Sequence, residues 1–79
     1  MKYDRMTNKE LAVFFGTQIQ NLRLNRKLRQ KEMAKNAGIS VGALRHLESG
    51  HGASIKTLIK VLRAHKKLKW LETVYQGEE

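Results

Sequence analysis

Hydrophobic residues recur every three or four positions along most of this chain, and no segment alternates as a half-buried strand would. The clearest stripe lies near the start, where the apolar residues are Leu11, Phe15, Ile19 and Leu22. Thr7 and Glu10 lie just before this stripe and are three residues apart, which is the spacing of a capping box at a helix N-terminus. The pattern predicts a first helix from Thr7 to about Arg26. Gly16 either weakens its middle or allows another helix to approach closely.

Two short helices separated by a glycine are predicted between residues 30 and 50. The second helix runs from about residue 30 to 36, and the third, capped by Ser40, runs from 41 to 48 or 49. Gly38 suits the turn between them because that backbone position requires a positive φ. Gly50 suits the left-handed residue that follows a helix. The side chains expected to point inward are Met33, Ala34, Ala37, Ile39, Leu44 and Leu47.

Two further helices complete the pattern. Ser54 caps a fourth helix, whose inward face is expected to consist of Ile55, Leu58, Ile59 and Leu62. A short fifth helix is expected from Lys66 to Tyr75, with a frayed tail over residues 76–79. The prediction is therefore an all-α, compact five-helix bundle that forms a single domain over residues 1–79, with its core in 7–75.

Charge changes this picture more than composition does. The chain carries 16 Lys and Arg residues against 7 Asp and Glu, a net charge of +9, and it has no cysteine. Thirteen of the basic residues but only two acids lie between Arg23 and Lys69. Such a field attracts polyanions, although a solvated lysine-rich surface would have the same composition.

No apolar run approaches the roughly 20 residues of a membrane span, and no signal peptide is recognisable, so we expect a cytoplasmic protein.

The segment from residue 16 to 71 resembles the XRE family of phage-repressor and Cro-like helix-turn-helix proteins. The positions that carry the resemblance are Gly16, Ile19, Leu22, Arg23, Leu28, Gln30, Glu32, Met33, Ala34, Gly38, Ile39, Ser40, Leu44, Leu47, Glu48 and Gly50. The resemblance implies a lambda-repressor-like domain whose helix-turn-helix spans residues 30–49. Its partner would be double-stranded DNA, with the third helix in the major groove. A protein of this kind would be associated with the nucleoid while it is bound to DNA.

The outward positions of the third helix are the candidate base-reading residues. Helical geometry assigns Val41, Gly42, Arg45 and His46 to this face. Val41 could contact only a thymine methyl, and Gly42 either lets the backbone approach or leaves a base unread. Arg45 suits either guanine or a phosphate, and His46 suits a base, a phosphate or solvent. Because this face has few polar groups, DNA shape is expected to supply part of the specificity.

The resemblance also assigns residues to the DNA backbone and to the fold. Gln30, which opens the second helix, is implied as a phosphate ligand, as expected of a helix N-terminus. Arg23 and Glu48 match a family ion pair, although each could be an independent surface charge. The full set of candidate phosphate-binding residues is Arg29, Gln30, Lys31, Lys35, Ser40, Ser54, Lys56 and Thr57. The more distant lysines and arginines are expected to form a solvated face.

No catalytic site, cofactor site or metal centre is expected. His46, His51 and His65 have no cysteine and few carboxylates nearby, and a glycine separates the first two, so the spacing of a helical metal pair does not apply. We therefore expect a protein that is not an enzyme.

The C-terminal region is similar to short HipB-like antitoxins, although His65 stands where they carry leucine. This resemblance implies a HipA-like kinase toxin as an alternative partner. Trp70 could pack on the domain or anchor an interface. The candidate dimer-interface residues are Leu68, Trp70, Leu71, Val74 and Tyr75. The sequence thus predicts a homodimeric, sequence-specific repressor, with an antitoxin or a helix-turn-helix without DNA binding as alternatives.

Overall fold

The computed structural model describes residues 2–73, which form a small all-helical domain with no strand in that range. Its four α-helices are α1 (Asn8–Asn25), α2 (Gln30–Ala37), α3 (Val41–Glu48) and α4 (Ile55–Ala64). Two 3-10 segments lie outside them, at Tyr3–Arg5 and Leu68–Thr73. The first four predicted helices are therefore present, and the ends that were predicted for them agree with the structure within one or two residues.

The predicted fifth α-helix is wrong for the described residues. Lys66 has a left-handed backbone, with φ of 59°, and therefore cannot continue or begin an α-helix there. The chain then forms the 3-10 segment, in which the amide of Trp70 donates to the carbonyl of Lys67 at 3.1 Å. The fold is thus a four-helix domain with 3-10 turns. Val74, Tyr75 and the predicted tail lie outside the described residues.

Side-chain caps fix where three of the helices begin. The hydroxyl of Thr7 accepts from the amide of Glu10 at 3.0 Å, and the Glu10 carboxylate accepts from the amide of Thr7 at 2.8 Å. Ser40 and Ser54 accept from amides three residues ahead, at 3.0 and 3.1 Å. The predicted capping box and both predicted serine caps are confirmed. These bonds satisfy amides that have no partner within the helix.

Left-handed residues fix where the helices end. Gly38 has φ of 73° and ψ of 36°, as predicted for the turn between α2 and α3. The amide of Ile39 bonds back to the carbonyl of Ala34 at 3.0 Å, so the turn is hydrogen-bonded. Gly50 has φ of 88°, also as predicted. Lys27 ends α1 with φ of 57°, which the sequence did not indicate because lysine rarely adopts this conformation.

The core lies where all four helices meet. Its buried apolar residues are Ile19, Met33, Ala34, Ala37, Leu44, Leu47, Val61 and Leu62. Gly16 is buried at the crossing of α1 and α3, where an added Cβ would meet the backbone carbonyls of Leu47 and Glu48. The close approach that the sequence allowed for is therefore present, and it holds α1 against the last turn of α3.

The predicted inward face of α4 is partly wrong. Ile55 is 72% exposed and Ile59 is 37% exposed, whereas Val61 is fully buried. The helix carries two overlapping stripes with the same spacing, and the one that turns inward is Leu58, Val61, Leu62 and His65. His65 is only 6% exposed, so a polar residue occupies a core position. A pattern based on apolar residues does not assign a histidine to the core.

Burial of His65 changes its titration. Its Nδ1 lies 3.3 Å from Nη1 of Arg26, and its Nε2 is buried without a hydrogen-bond partner. Burial lowers the pKa of His65 below 6.5, and the Arg26 guanidinium lowers this pKa further. Lys67 and Arg23 act in the same direction, while Glu48 opposes them. The neutral imidazole is therefore the form that the folded protein favours.

Candidate nucleic-acid interface

The outer face of α3 is open along most of its length. Gly42, Arg45 and His46 are exposed, as predicted for base-reading residues. Val41 is half-buried and packs against the core, so only part of its side chain is available on the surface. Three of the four candidates can therefore approach a ligand without any rearrangement of the helix.

A chain of hydrogen bonds connects this open face to the interior. Arg45 Nε donates to Gln30 Oε1 at 3.3 Å, and Gln30 Nε2 donates to Glu48 Oε1 at 3.0 Å. Glu48 accepts from Arg23 Nε at 2.9 Å and from Arg23 Nη2 at 3.1 Å. Arg23 Nη1 donates to the carbonyl of Leu28 at 2.7 Å. The first residue of α2 is therefore linked to the exposed arginine of α3.

The ion pair that the family resemblance implied between Arg23 and Glu48 is present. Its side chains are only 8% and 2% exposed, and the contact between Arg23 Nε and Glu48 Oε2 is 2.9 Å. Both carboxylate oxygens and all three guanidinium nitrogens have partners. A buried pair with this many hydrogen bonds fixes the end of α3 relative to α1.

Two helix N-termini flank α3. Gln30, at the start of α2, shares a shallow cavity with Arg45 on one side. Ser54 and Thr57, at the start of α4, share another cavity with His46 on the other side. Free amides and the positive end of a helix dipole favour an anion at such positions. The surface between the two cavities is suited to an elongated polyanion.

The remaining candidate phosphate ligands are exposed, but the lysines and Arg29 do not line the two cavities beside α3. Their positions are Arg29 at the N-cap of α2, Lys31 and Lys35 along α2, and Lys56 in the first turn of α4. The hydroxyls of Ser40 and Ser54 already accept capping bonds. We therefore expect these serines to position helix ends, while the lysines and Arg29 supply charge.

Sequence reasoning missed one neighbour of this face. His51, three residues after the end of α3, lies against His46 with ring centroids 5.0 Å apart. The left-handed turn at Gly50 brings the two rings together, and spacing alone gives no sign of this contact. Among the described residues no group of three or more His, Cys, Asp or Glu side chains could hold a metal ion.

The candidate dimer-interface residues lie on a separate apolar surface. Leu68 is half-buried and packs on the core, while Trp70 and Leu71 are 50% and 48% exposed. The Trp70 ring meets the edge of Phe15 at a centroid distance of 6.3 Å. Val74 and Tyr75 lie outside the described residues. The exposed Ile55 and Ile59 of α4 line the same groove as Trp70 and Leu71. We refer to Ile55, Ile59, Trp70 and Leu71 as the apolar patch.

The geometry agrees with what comparison with known proteins shows. The model of the helix-turn-helix family matches residues 19–70, which is more than half of the chain and includes α2, α3 and α4. No curated protein matches the chain significantly. None of the helices in residues 2–73 is both long and apolar enough to cross a membrane. The chain therefore belongs to the XRE-type helix-turn-helix family, whose members are DNA-binding transcription regulators.

Proposed function

We propose that this regulator is a homodimeric repressor that acts in the cytoplasm and binds an inverted-repeat operator through α3. The observation that carries the proposal is the open face of α3, where Gly42, Arg45 and His46 are exposed between two helix N-termini. Binding, and not catalysis, is the chemistry that these groups support. The net charge of +9 favours rapid encounter with DNA.

A salt-titrated gel shift on the DNA upstream of the protein's own gene tests this function. We expect a discrete complex whose affinity falls steeply with salt, because several phosphates are neutralised. Lys56→Ala should reduce the salt slope, whereas Lys69→Ala serves as a matched control because Lys69 is exposed on the 3-10 segment. Absence of a complex, or binding that does not depend on salt, would contradict the proposal.

The apolar patch supports the dimer. Four large apolar side chains exposed on one side of a domain of this size are more than scattered surface residues, and the patch carries an exposed tryptophan. A second copy placed on the patch would give two α3 helices related by a two-fold axis. Such an arrangement reads half-sites about one helical turn, roughly 34 Å, apart.

Sedimentation equilibrium tests the dimer directly. Ile59→Lys should shift the protein from dimer to monomer, because a charge would enter the apolar patch. Leu24→Lys is the matched control, since Leu24 is 53% exposed on α1 and does not line the groove of the patch. A wild-type protein that remains monomeric at high concentration would contradict the dimer.

A kinase-type toxin is the other candidate occupant of the patch. In that arrangement the protein is an antitoxin that neutralises a HipA-like kinase and represses its own operon. Co-purification of proteins expressed from the native operon separates the two. Stoichiometric recovery of a neighbouring kinase, lost in Ile59→Lys, would favour the antitoxin, whereas recovery of the homodimer alone favours the simple repressor.

A further inference from the structure

The C-terminus of α3 ends in a hydrogen-bonded turn that fixes the relative position of two histidines. The amide of Gly50 donates to the carbonyl of Leu47 at 3.2 Å, and the amide of His51 donates to the carbonyl of His46 at 2.9 Å. Together with the left-handed Gly50, these are the bonds of a Schellman motif. The motif usually places an apolar pair in contact. Here the pair consists of His46 and His51, both exposed.

The hydrogen bonds around Ser49 decide which nitrogen of His51 is free. Ser49 Oγ donates its one proton to the carbonyl of His46 at 3.2 Å. The same oxygen lies 2.8 Å from His51 Nδ1, so it accepts the Nδ1–H of that ring. In this tautomer Nε2 of His51 carries a lone pair and no proton. An imidazole held through Nδ1–H by an oxygen is the usual arrangement of a metal-binding histidine.

The separation of the rings suits a shared ion. Metal–nitrogen bonds to histidine are about 2.0–2.1 Å, so two imidazoles on one tetrahedral ion stand about 5 Å apart between centroids. The centroids of His46 and His51 are 5.0 Å apart, with the ring planes inclined at 42°. The ring planes are therefore inclined to each other and not stacked flat, at a separation that two ligands of one ion would have.

We propose that His46 and His51 bind one divalent transition-metal ion, such as Zn²⁺, through one ring nitrogen each, with water in the remaining positions. The strongly basic chain repels hard cations that bind only through charge. Metals that prefer neutral imidazole nitrogens, namely Zn²⁺, Ni²⁺ and Cu²⁺, are the class that the site selects. Ser49 is a positioning residue, because it acts on the ion only through the His51 ring.

Metal binding has a consequence for DNA recognition that rests on the proposed function. His46 lies on the open face of α3, and an ion held there occupies the ring nitrogen that a base or phosphate would otherwise contact. His46 also lines the cavity beside Ser54 and Thr57, so an ion bound to its ring would lie next to the N-terminus of α4. We therefore infer that Zn²⁺ and DNA compete for this end of α3.

Titration of the full chain with ZnCl₂, followed by NMR of the imidazole signals, tests the site without DNA. Saturation at one ion per chain is expected, with shifts of both His46 and His51. The buried His65 serves as an internal reference and should not shift. His46→Ala and His51→Ala should each abolish saturable binding at this stoichiometry. Ser49→Ala keeps both rings and should weaken binding about 10–100-fold, as for other groups that orient a metal-binding histidine.

Several outcomes would overturn the site. A titration that does not saturate would show that the two rings only pack against each other in the Schellman motif and do not bind an ion. Saturation that persists in both histidine variants would place the ion elsewhere. Unchanged zinc affinity in Ser49→Ala would show that Ser49 does not position the His51 ring. Zinc affinity is the appropriate measurement because a residue that only supported the fold would change stability and not the affinity of the folded chain.

Gel shifts with ZnCl₂ and with EDTA test the competition. Zinc should weaken DNA binding by the wild-type protein, and EDTA should restore it. His51→Ala should bind DNA like the wild type in EDTA and should not respond to zinc. DNA binding by the wild type that zinc leaves unchanged would refute the competition. If no DNA is bound in EDTA, the proposed function fails while the NMR titration still decides the metal site.

Discussion

Gln30 Nε2 donates a 3.0 Å hydrogen bond to Glu48 Oε1, and this bond joins the first residue of α2 to the last residue of α3. Gln30 also accepts from Arg45, and Glu48 also holds Arg23. The side-chain amide of Gln30 thus links the exposed Arg45, a candidate base-reading residue, to the buried carboxylate of Glu48. Stability and recognition in this domain consequently depend on overlapping sets of residues, which separate measurements can distinguish.

Removing the carboxylate of the ion pair should destabilise the fold severely. Glu48→Ala leaves the Arg23 guanidinium buried without its partner, a change that costs about 3–5 kcal/mol in similar pairs. Urea denaturation measures the loss, with the exposed Glu72→Ala as the control that should stay within about 0.5 kcal/mol of wild type. Arg23→Ala and the double variant complete a cycle, in which the double variant should lose less than the sum of the single changes. Additive losses would mean that the two charges act independently.

Gln30→Ala should affect recognition more than stability. The change removes the acceptor that holds Arg45 Nε at 3.3 Å, so the arginine gains conformational freedom. We expect weaker DNA binding and relaxed preference at the same base pairs that Arg45 contacts. Binding to a panel of single-base operator variants measures this. An equal loss for every sequence would instead mean that Gln30 acts only as a phosphate ligand, as the family resemblance implies.

Arg45 and Lys56 should show opposite signatures. Arg45→Ala is expected to reduce discrimination at particular base pairs by about 1–3 kcal/mol, because a bidentate contact to guanine is lost. Lys56→Ala should weaken binding to all sequences alike. The same operator panel and a salt series check both variants. If the two changes lower affinity equally and without sequence preference, Arg45 is a phosphate ligand and the base-reading assignment is wrong.

Local signals in the sequence were sufficient for most of the fold. Capping residues and the two glycines predicted the starts and ends of the helices because each acts through one or two nearby backbone groups. The failures came from tertiary effects. α4 has two equivalent stripes, and only packing selects the one that ends in His65. Lys27 and Lys66 adopt left-handed conformations that no residue preference indicates.

The candidate site was predicted less completely than the fold. Helical periodicity placed Gly42, Arg45 and His46 on the open face, but it could not show that Val41 packs on the core. The contact of His46 with His51 depends on a turn that folds the chain back beside its own helix. Contacts of this kind require coordinates, because their sequence spacing matches no helical pattern.

Gly16→Ala should destabilise the domain despite the better helix propensity of alanine. An added Cβ would meet the backbone carbonyls of α3, and the carbonyl of Glu48 would lie 2.7 Å away. Overpacking typically costs about 1–3 kcal/mol, which exceeds the gain of about 1 kcal/mol from propensity. Gly42→Ala is the matched control, since its nearest neighbour would be Ser40 Oγ at 3.9 Å, and it should stabilise α3 slightly. Thermal denaturation compares them, and a Gly16→Ala protein as stable as wild type would contradict the close packing.

Acid should destabilise the protein through His65. In the folded state burial and the charge of Arg26 lower the pKa of this imidazole, whereas in the unfolded state it titrates near 6.5. As pH falls below 6.5 the unfolded chain binds a proton that the folded chain resists, so the free energy of unfolding decreases. Above that pH the contribution to stability is fully present. Urea midpoints between about pH 5 and 8 measure the slope.

His65→Leu provides the decisive comparison for this pH dependence. Leucine cannot titrate, and it removes the buried Nε2 that lacks a hydrogen-bond partner. The variant should therefore be more stable than wild type at low pH and should lose most of the decline below pH 6.5. His51→Ala is the control for a general effect of histidine removal, because His51 is exposed and should leave the decline intact. A decline that persists unchanged in His65→Leu would assign the acid sensitivity to other groups, and the buried imidazole would then be only a packing element of α4.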